Sequence, residues 1–439
     1  MKRFIQNLKN IWSVEELRKR ILLTLLLILI YRLGSFIMVP GVSAQAVMEH
    51  ASNAKSGGNA LETILSYISG GAFTNVSILS LGIMPYISAS IIMQLLGLAV
   101  PAVQKMQNEG ESGRKQINNY TRILTIIICA AQAPTYITQY ASSIQGALPV
   151  VQSTLWWGTA IISMVAGSML SVWIGEKITD KGIGNGVSLL ITVGIISRLP
   201  SSFIAEVAAK DSPLWIVLEV IVFMLIVLGV ILIVQGVRKV PLNTAKRVVG
   251  ARDVDAQGAR SYLPLKVNAS GVMPIIFAQA IMTIPMMYFA KENSTVFDAH
   301  GLLYNGVLAF LIIVFTYFYT AIMISPRKMA DDLKSSGGFI PGVRPGEETQ
   351  EYIDTLVSRI TLPGSLFLAM IAILPAIAYK AGVSSGFEYF FGGTSLLIMV
   401  GVVLDTLQQI ESYLLNRHMD GLMEGSRVRG RRDQIPSGM

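Results

Sequence analysis

One cysteine and three histidines are all that 439 residues contain of the usual soft metal ligands. Cys129 alone can close no internal disulfide and build no cysteine metal cluster. His50, His300 and His418 fall in separate loops or at a span end, which argues against a histidine-based centre. Charge is scarce too, with Asp, Glu, Lys and Arg making up only 14% of the chain. There is no His-Glu-x-x-His for a membrane metalloprotease, no Gly-x-Gly-Asp for an aspartyl one and no Walker loop. The sequence therefore predicts no enzyme, no cofactor and no nucleotide hydrolysis. If something moves through this protein, a partner supplies the energy.

What is present is apolar. Hydrophobic residues make up 52% of the chain, in blocks of about 20, the length that crosses a hydrocarbon core. Ten such runs are expected as spans: 21–39, 73–96, 123–140, 155–173, 183–199, 214–234, 269–290, 303–324, 361–379 and 394–414. The fold class is an all-α integral membrane protein of ten transmembrane helices. Of the 35 Lys and Arg residues, 29 lie in the two ends and the even connections, and the other six, Arg32 in the first span among them, lie in the odd connections or within spans. Positive charge stays in the cytosol, so both termini are expected to be cytoplasmic. The net charge of +8 then belongs to one face, fit for anionic lipid, a ribosome or an acidic partner; much of it is explained by topology alone.

The stretch 60–96 is the most unusual. Leu61, Ile64, Leu65 and Ile68 share one helical face, in a segment too short to span; Gly70 and Gly71 break it, and an apolar run with Pro85 in its middle follows. Two readings stay open. One is a re-entrant element inside the protein or along a water-filled path, the only places where irregular backbone is tolerated at membrane depth. The other is a surface helix before an ordinary second span. Ser13 and Glu16 fit a capping box that opens a short basic surface helix, 14–20. Residues 104–122 form a polar connection with a turn at Gly110–Gly113. The glycines of 182–186 suit close packing at a span mouth better than a dinucleotide loop, since no strand precedes them.

Two later connections are longer than topology needs. Residues 235–268 alternate β-branched and basic residues in 237–249 and 260–267, which predicts a hairpin with its tip at 250–258. Residues 325–360 contain a helical piece at 327–335, a Gly337-Gly338 break and a turn in which Pro341 and Pro345 hold Arg344 outward. Ionisable residues inside spans are few, Arg32, Glu219 and Asp405 among them, too few for an ion-coupled site. Ile83, Ile87 and Ile91 recur every four residues, as do Val187 and Ile191; such rings can close a pore by dewetting, though the same spacing also suits lipid-facing or core positions. Ten spans split five and five, so a duplicated unit would sit inverted. A secondary transporter of a small solute remains the alternative to a channel; the scarcity of intramembrane carboxylates weighs against it.

Seven motifs in order then resemble the bacterial SecY family, the main subunit of a protein-conducting channel. They are Tyr31-Arg32-Leu33-Gly34-Ser35-Phe36, Gly82-Ile83-Met84-Pro85-Tyr86-Ile87-Ser88-Ala89-Ser90-Ile91-Ile92, Glu109-Gly110-Glu111-Ser112-Gly113-Arg114, Gly182-Ile183-Gly184-Asn185-Gly186, Leu263-Pro264-Leu265-Lys266-Val267-Asn268, Phe339-Ile340-Pro341-Gly342-Val343-Arg344-Pro345-Gly346-Glu347 and Phe391-Gly392-Gly393-Thr394-Ser395-Leu396-Leu397-Ile398. The resemblance covers nearly the whole chain. It implies two inverted five-helix halves, 21–199 and 200–414, around a central pore, between a cytoplasmic N-terminus (1–20) and a basic tail (415–439). It implies a plug at about 61–73, including Leu61, Ile64, Leu65, Ile68, Gly70 and Gly71. The pore ring carries over to Ile83, Ile87, Val187, Ile191, Ile276 and Ile398, with Val187 where the family usually has isoleucine. The lateral gate would lie between the second and third spans and the seventh and eighth. Arg344, Lys246, Arg247 and Arg252 would dock the SecA ATPase or the ribosome. SecE, SecG, signal peptides and preproteins are the other implied partners, anionic lipids fit the basic face, and nothing points to DNA. The implied location is the bacterial cytoplasmic (inner) membrane.

Overall fold

A computed structural model describes residues 12, 14–53, 66, 69–144, 146–149, 153–210, 212–244, 261–289, 301–384 and 386–425. Leu61, Ile64, Leu65, Ile68, Lys246, Arg247 and Arg252 lie outside the described residues, as do Ser13, the expected hairpin tip and the tail arginines.

The helices follow the apolar runs. They are α1 (Glu15–Gly34), α2 (Ala44–Asn53), α3 (Met84–Ala99), α4 (Pro101–Asn108), α5 (Glu111–Gln139), α6 (Thr154–Lys181), α7 (Gly186–Ala209), α8 (Pro213–Val234), α9 (Met273–Phe289), α10 (Leu302–Met323), α11 (Pro326–Ser335), α12 (Glu347–Lys380) and α13 (Gly393–Gly425). Among the described residues, six are long and apolar enough to cross a membrane: α6, α7, α8, α10, α12 and α13. The pair α3 and α4, bent by 104°, makes a seventh if taken as one span. The other expected spans fall on α1, α5 and α9. Charged first turns dilute α1 and α5, and α9 is described over only 17 residues.

Four expectations are corrected. The second span does not begin at Phe73: residues 70–83 are turns and bends, and helix starts only at Met84. Pro85 stands in the first turn of α3, where its missing N–H is no loss, rather than mid-span. The basic residues before the first span form no separate surface helix; they are the first turns of α1, with Lys19 paired to Glu15 at 2.8 Å and Arg20 to Glu16 at 3.2 Å. The polar connection before the third span is mostly helical, since α4 ends at Asn108 and α5 begins at Glu111 after a left-handed Gly110 (φ +74°).

Contacts divide the chain into two compact units. The first comprises Met1–Ser56, Ser69–Gly194 and Val402–Met439; the second comprises Gly57–Ile68 and Ile195–Gly401. In the first unit α1 packs on α6, α3 on α5 and α5 on α6, and Arg122 binds Glu176 through two hydrogen bonds of 3.0 and 2.6 Å. Its core joins Leu27 and Tyr31 of α1, Ala72, Leu79 and Ile83, Ile174 and Ile178 of α6 and Leu190 of α7.

In the second unit α10 packs along α12 and α9 along α10. Strands β1 (Val237–Thr244) and β2 (Ser261–Lys266) pair antiparallel with Val237 opposite Lys266 and Leu242 opposite Ser261, as expected of the hairpin. A third strand, β3 (Gly338–Phe339), adds to β1 with Asn243 opposite Phe339; the sequence reading took this place as a break. Val240, Leu265, Ile340, Ile353 and Val357 make a separate small core, so the two long connections fold as one body.

Candidate functional site: the broken stretch, the apolar ring positions and the arginine loop

Residues 69–83 are irregular because their sequence forbids a helix. Gly70, Gly71 and Gly82 have φ of +62°, +91° and +53°, and Val76 sits at +46°, a strained value for a β-branched residue. Serines close the local bonds: Ser69 Oγ accepts from Phe73 N–H at 3.1 Å, and Ser77 Oγ donates to Ala72 O at 3.2 Å. The stretch docks along the end of α1 and the chain after it. Val39 N–H donates to Val76 O at 3.0 Å, and Ile78 N–H donates to Ile37 O at 2.9 Å. The Phe73 carbonyl accepts from the Tyr136 hydroxyl at 2.6 Å, and its ring packs on Tyr136 and Tyr140 with centroids 4.9 and 4.7 Å away. Backbone freed from helix is thus re-satisfied by protein, as a membrane interior demands. Arg32 Nη1 donates to Gly70 O at 2.9 Å.

Ile83 immediately precedes α3 and is 4% exposed. Ile87 and Val187 pack on the same cluster as Ile83, Ile174, Ile178 and Leu190, and Ile191 is buried. The turn between α6 and α7 sets the place of Val187. Ile183 N–H donates to Thr24 Oγ1 at 3.2 Å, Gly184 N–H to Gln409 Oε1 at 2.8 Å and Gly186 N–H to Thr179 Oγ1 at 2.9 Å. A Cβ on Gly186 would stand 1.9 Å from the Gly175 carbonyl oxygen, and one on Gly182 would stand 2.4 Å from Thr24 Oγ1. These glycines let backbones touch. In the second unit Ile276 on α9 is half-buried and Ile398 on α13 is buried.

Arg344 is held by its backbone and free at its tip. Its N–H donates to Glu348 Oε2 at 3.2 Å, and its carbonyl accepts from Thr349 Oγ1 at 2.8 Å, so the first turn of α12 fixes both sides of the peptide. Gly342 and Gly346 take φ of +85° and +118° beside the two prolines. The side chain is 88% exposed and its nearest carboxylate oxygen, on Glu348, is 3.8 Å away.

Sequence reasoning missed two polar sites in α7. Arg198 donates to Ser66 Oγ at 2.9 Å. Glu206 is fully buried and accepts from the backbone N–H and the hydroxyl of Ser384. Lys210 lies 3.1 Å from Glu219 and 3.7 Å from Glu206, and donates to Gly382 O at 2.6 Å. The i,i+4 spacing of Glu206 and Lys210 was the available signal. Asp405 is exposed.

Between α12 and α13, Glu388 is 1% exposed in a short turn with Phe387 and Phe390. Burial pushes its carboxyl up to about 8, from an ordinary value of 4.5. The native state therefore holds this proton over a range where the unfolded chain has lost it. Stability from this group is full below about pH 4.5 and is lost as pH rises to about 8. Melting followed from pH 5 to 8 should show a decline that Glu388→Gln flattens; equal slopes in both proteins would show that another group sets it.

A family model described as SecY matches residues 77–407. The protein translocase subunit SecY of Thermus thermophilus is 40% identical over 443 residues, covering 97% of this chain and 99% of that one. Its counterpart from Thermotoga maritima is 39% identical over 441 residues, covering 97% and 100%. The solved "structure of a protein conducting channel" aligns over 94% of this chain and 95% of its own, with a TM-score of 0.60 at 19% identity. Sec61 in the canine ribosome-channel complex aligns over the same shares with a TM-score of 0.57 at 17% identity. The two structures share this chain's fold, the ten-helix, two-half membrane architecture.

Proposed function

This chain belongs to the SecY family, and from that premise we propose that it is the channel subunit of a protein translocase. It passes unfolded polypeptide across the membrane and releases apolar segments sideways into lipid. The observation that carries this reading is the non-helical stretch 69–83, seated in protein and leading directly into Ile83 at the head of α3. Ile83, Ile87, Val187, Ile191, Ile276 and Ile398 line the constriction. A ring of branched aliphatic side chains makes few specific contacts, so it passes many sequences, and it excludes ions by dewetting. An apolar signal segment that leaves for lipid gains about 0.8 kcal/mol per buried methylene.

The chain does no covalent chemistry in this reading, and the work comes from a partner. Arg344 and the body built from β1, β2, β3 and α11 form the docking surface, together with Lys246, Arg247 and Arg252, for a motor ATPase of the SecA kind or a ribosome. Small membrane subunits of the SecE and SecG kind complete the complex, and anionic lipid meets the basic face. Residues 21–199 and 200–414 act as two halves, with 61–73 as the plug. The protein sits in a bacterial cytoplasmic membrane with both termini in the cytosol.

The test uses the lone cysteine. Cys129 is replaced by serine, Ile83 by cysteine, and the complex is reconstituted with its motor. A preprotein carrying one cysteine is trapped half-way and oxidised. A crosslink to position 83 is expected and places the moving chain in the ring. Efficient translocation without that crosslink puts the path elsewhere, and solute uptake without translocation replaces the channel by a transporter.

A further inference from the structure

Arg32 is a charged residue in the last turn of α1, directly after the apolar run 21–31. Such a residue is expensive in a membrane unless it is paired or faces a cavity, and it marks function by default. Here its side chain is half-buried, and its guanidinium donates to one neutral acceptor, the Gly70 carbonyl, at 2.9 Å. Its carbon Cζ also lies 5.9 Å from the centroid of the exposed Phe36 ring.

The acceptor side is built for this contact. Gly70 holds φ at +62°, which a side chain rarely adopts. A Cβ there would stand 2.7 Å from Arg32 Nη1 and 2.7 Å from the Cα of Gly194. Gly70 is thus pressed between α1 and α7 with no space to spare. From that point to residue 82, the stretch is held to α1 and the chain after it by neutral contacts. Leu79 fills the surface of Gly34, two strand-like bonds run from Val39 and to Ile37, and Tyr31 lies beside Gly82. The bond from Arg32 is the one contact in this series made by a charged group.

We propose that Arg32 is a positioning residue that latches the broken stretch at Gly70 and so holds the channel closed; this rests on the channel reading above. A guanidinium has five N–H donors, and a hydrogen bond to a charged donor is stronger than a neutral one. The latch therefore has the strength to hold and, with a neutral carbonyl as its partner, remains able to let go. Loss of the latch frees the glycine pair at 70 and 71 to turn, while the apolar contacts around Leu79 and Ile83 keep the unit folded.

The complex, purified with the subunits that accompany it, is reconstituted for two measurements. One is resting ion conductance in planar bilayers without preprotein. The other is translocation of a preprotein whose signal segment is weakened by a charge. Arg32→Gln is expected to raise resting conductance about tenfold, the equivalent of about 1.4 kcal/mol on the closed state, and to admit the weakened preprotein. Arg32→Lys keeps the charge and a donor and is expected to leak less than Arg32→Gln. Gly70→Ala, which attacks the same contact from the other side, is expected to leak as well, and the double variant no more than either alone. Wild-type conductance and discrimination in Arg32→Gln overturn the latch. So does a lowered melting temperature without leak, which is a purely structural role. If Arg32→Gln does not assemble, Gly70→Ala decides by the same two readings. Failure of the wild-type complex to translocate an intact preprotein overturns the channel reading itself, and the latch with it.

Discussion

Replacing Ile83 by aspartate should raise the resting ion conductance of the reconstituted channel at least tenfold. Ile83 is 4% exposed and packs with Leu79, Ile174, Ile178 and Leu190. A carboxylate placed there has no cationic partner in that cluster, and an unpaired buried charge costs several kcal/mol. Water entry is the cheapest relief, and a wetted constriction conducts. Two controls separate charge from packing. Ile83→Leu conserves volume and should change stability by less than about 1.5 kcal/mol and conductance hardly at all. Ile83→Ala leaves a cavity of the kind that destabilises by about 2–5 kcal/mol, without bringing in a charge. A well-assembled aspartate variant that conducts like wild type would remove Ile83 from the constriction.

Arg344→Glu should lower partner-driven translocation about a hundredfold while assembly, melting temperature and resting conductance stay unchanged. The exposed contact with Glu348 at 3.8 Å contributes at most about 1 kcal/mol, so the fold does not need this side chain. What the fold does is hold its backbone: Glu348 and Thr349 fix both ends of the peptide, and the prolines and left-handed glycines shape the loop. A guanidinium presented from a rigid loop loses little entropy on binding, and interface arginines of this kind carry about 2 kcal/mol or more. Charge reversal adds repulsion against an acidic partner. Vesicle translocation with the motor present reads the effect; normal transport by Arg344→Glu would move the docking surface elsewhere.

Much of the architecture was legible because spans are set by one strong variable, apolar length. Each of the ten runs overlaps a helix, although in the second run helix begins only at Met84, and strands β1 and β2 lie within the two segments that alternation marked out. The start of α3 was misread because Phe73, Val76, Ile78 and Leu79 are as apolar as any span. In a linear window a proline in a first turn looks the same as one in mid-helix. Left-handed glycines and the serines at 69, 77 and 80 were the better signal. Strand β3 is two residues long and exists only because β1 offers an open edge. Of the bonds that place Val187, those donated to Thr24 and Gln409 join residues 159 and 225 apart in sequence, beyond any periodicity. Arg32 and Ile83 were singled out from sequence, but their neighbours Gly70 and Leu79 became known only from the fold.

The third strand has a mechanical consequence. Strand β1 continues from α8, β2 leads into α9, and the turn after β3 leads into α12. A push delivered at Arg344 enters α12 at once through the pinned peptide. It reaches α8 and α9 through the core in which Val240 and Leu265 pack with Ile353 and Val357, and through β3, whose pairing to β1 covers Asn243–Phe339 and Thr244–Gly338. That pairing acts as a weak coupling in a drive train. A load on the arginine loop would thereby be shared among three spans by one folded body.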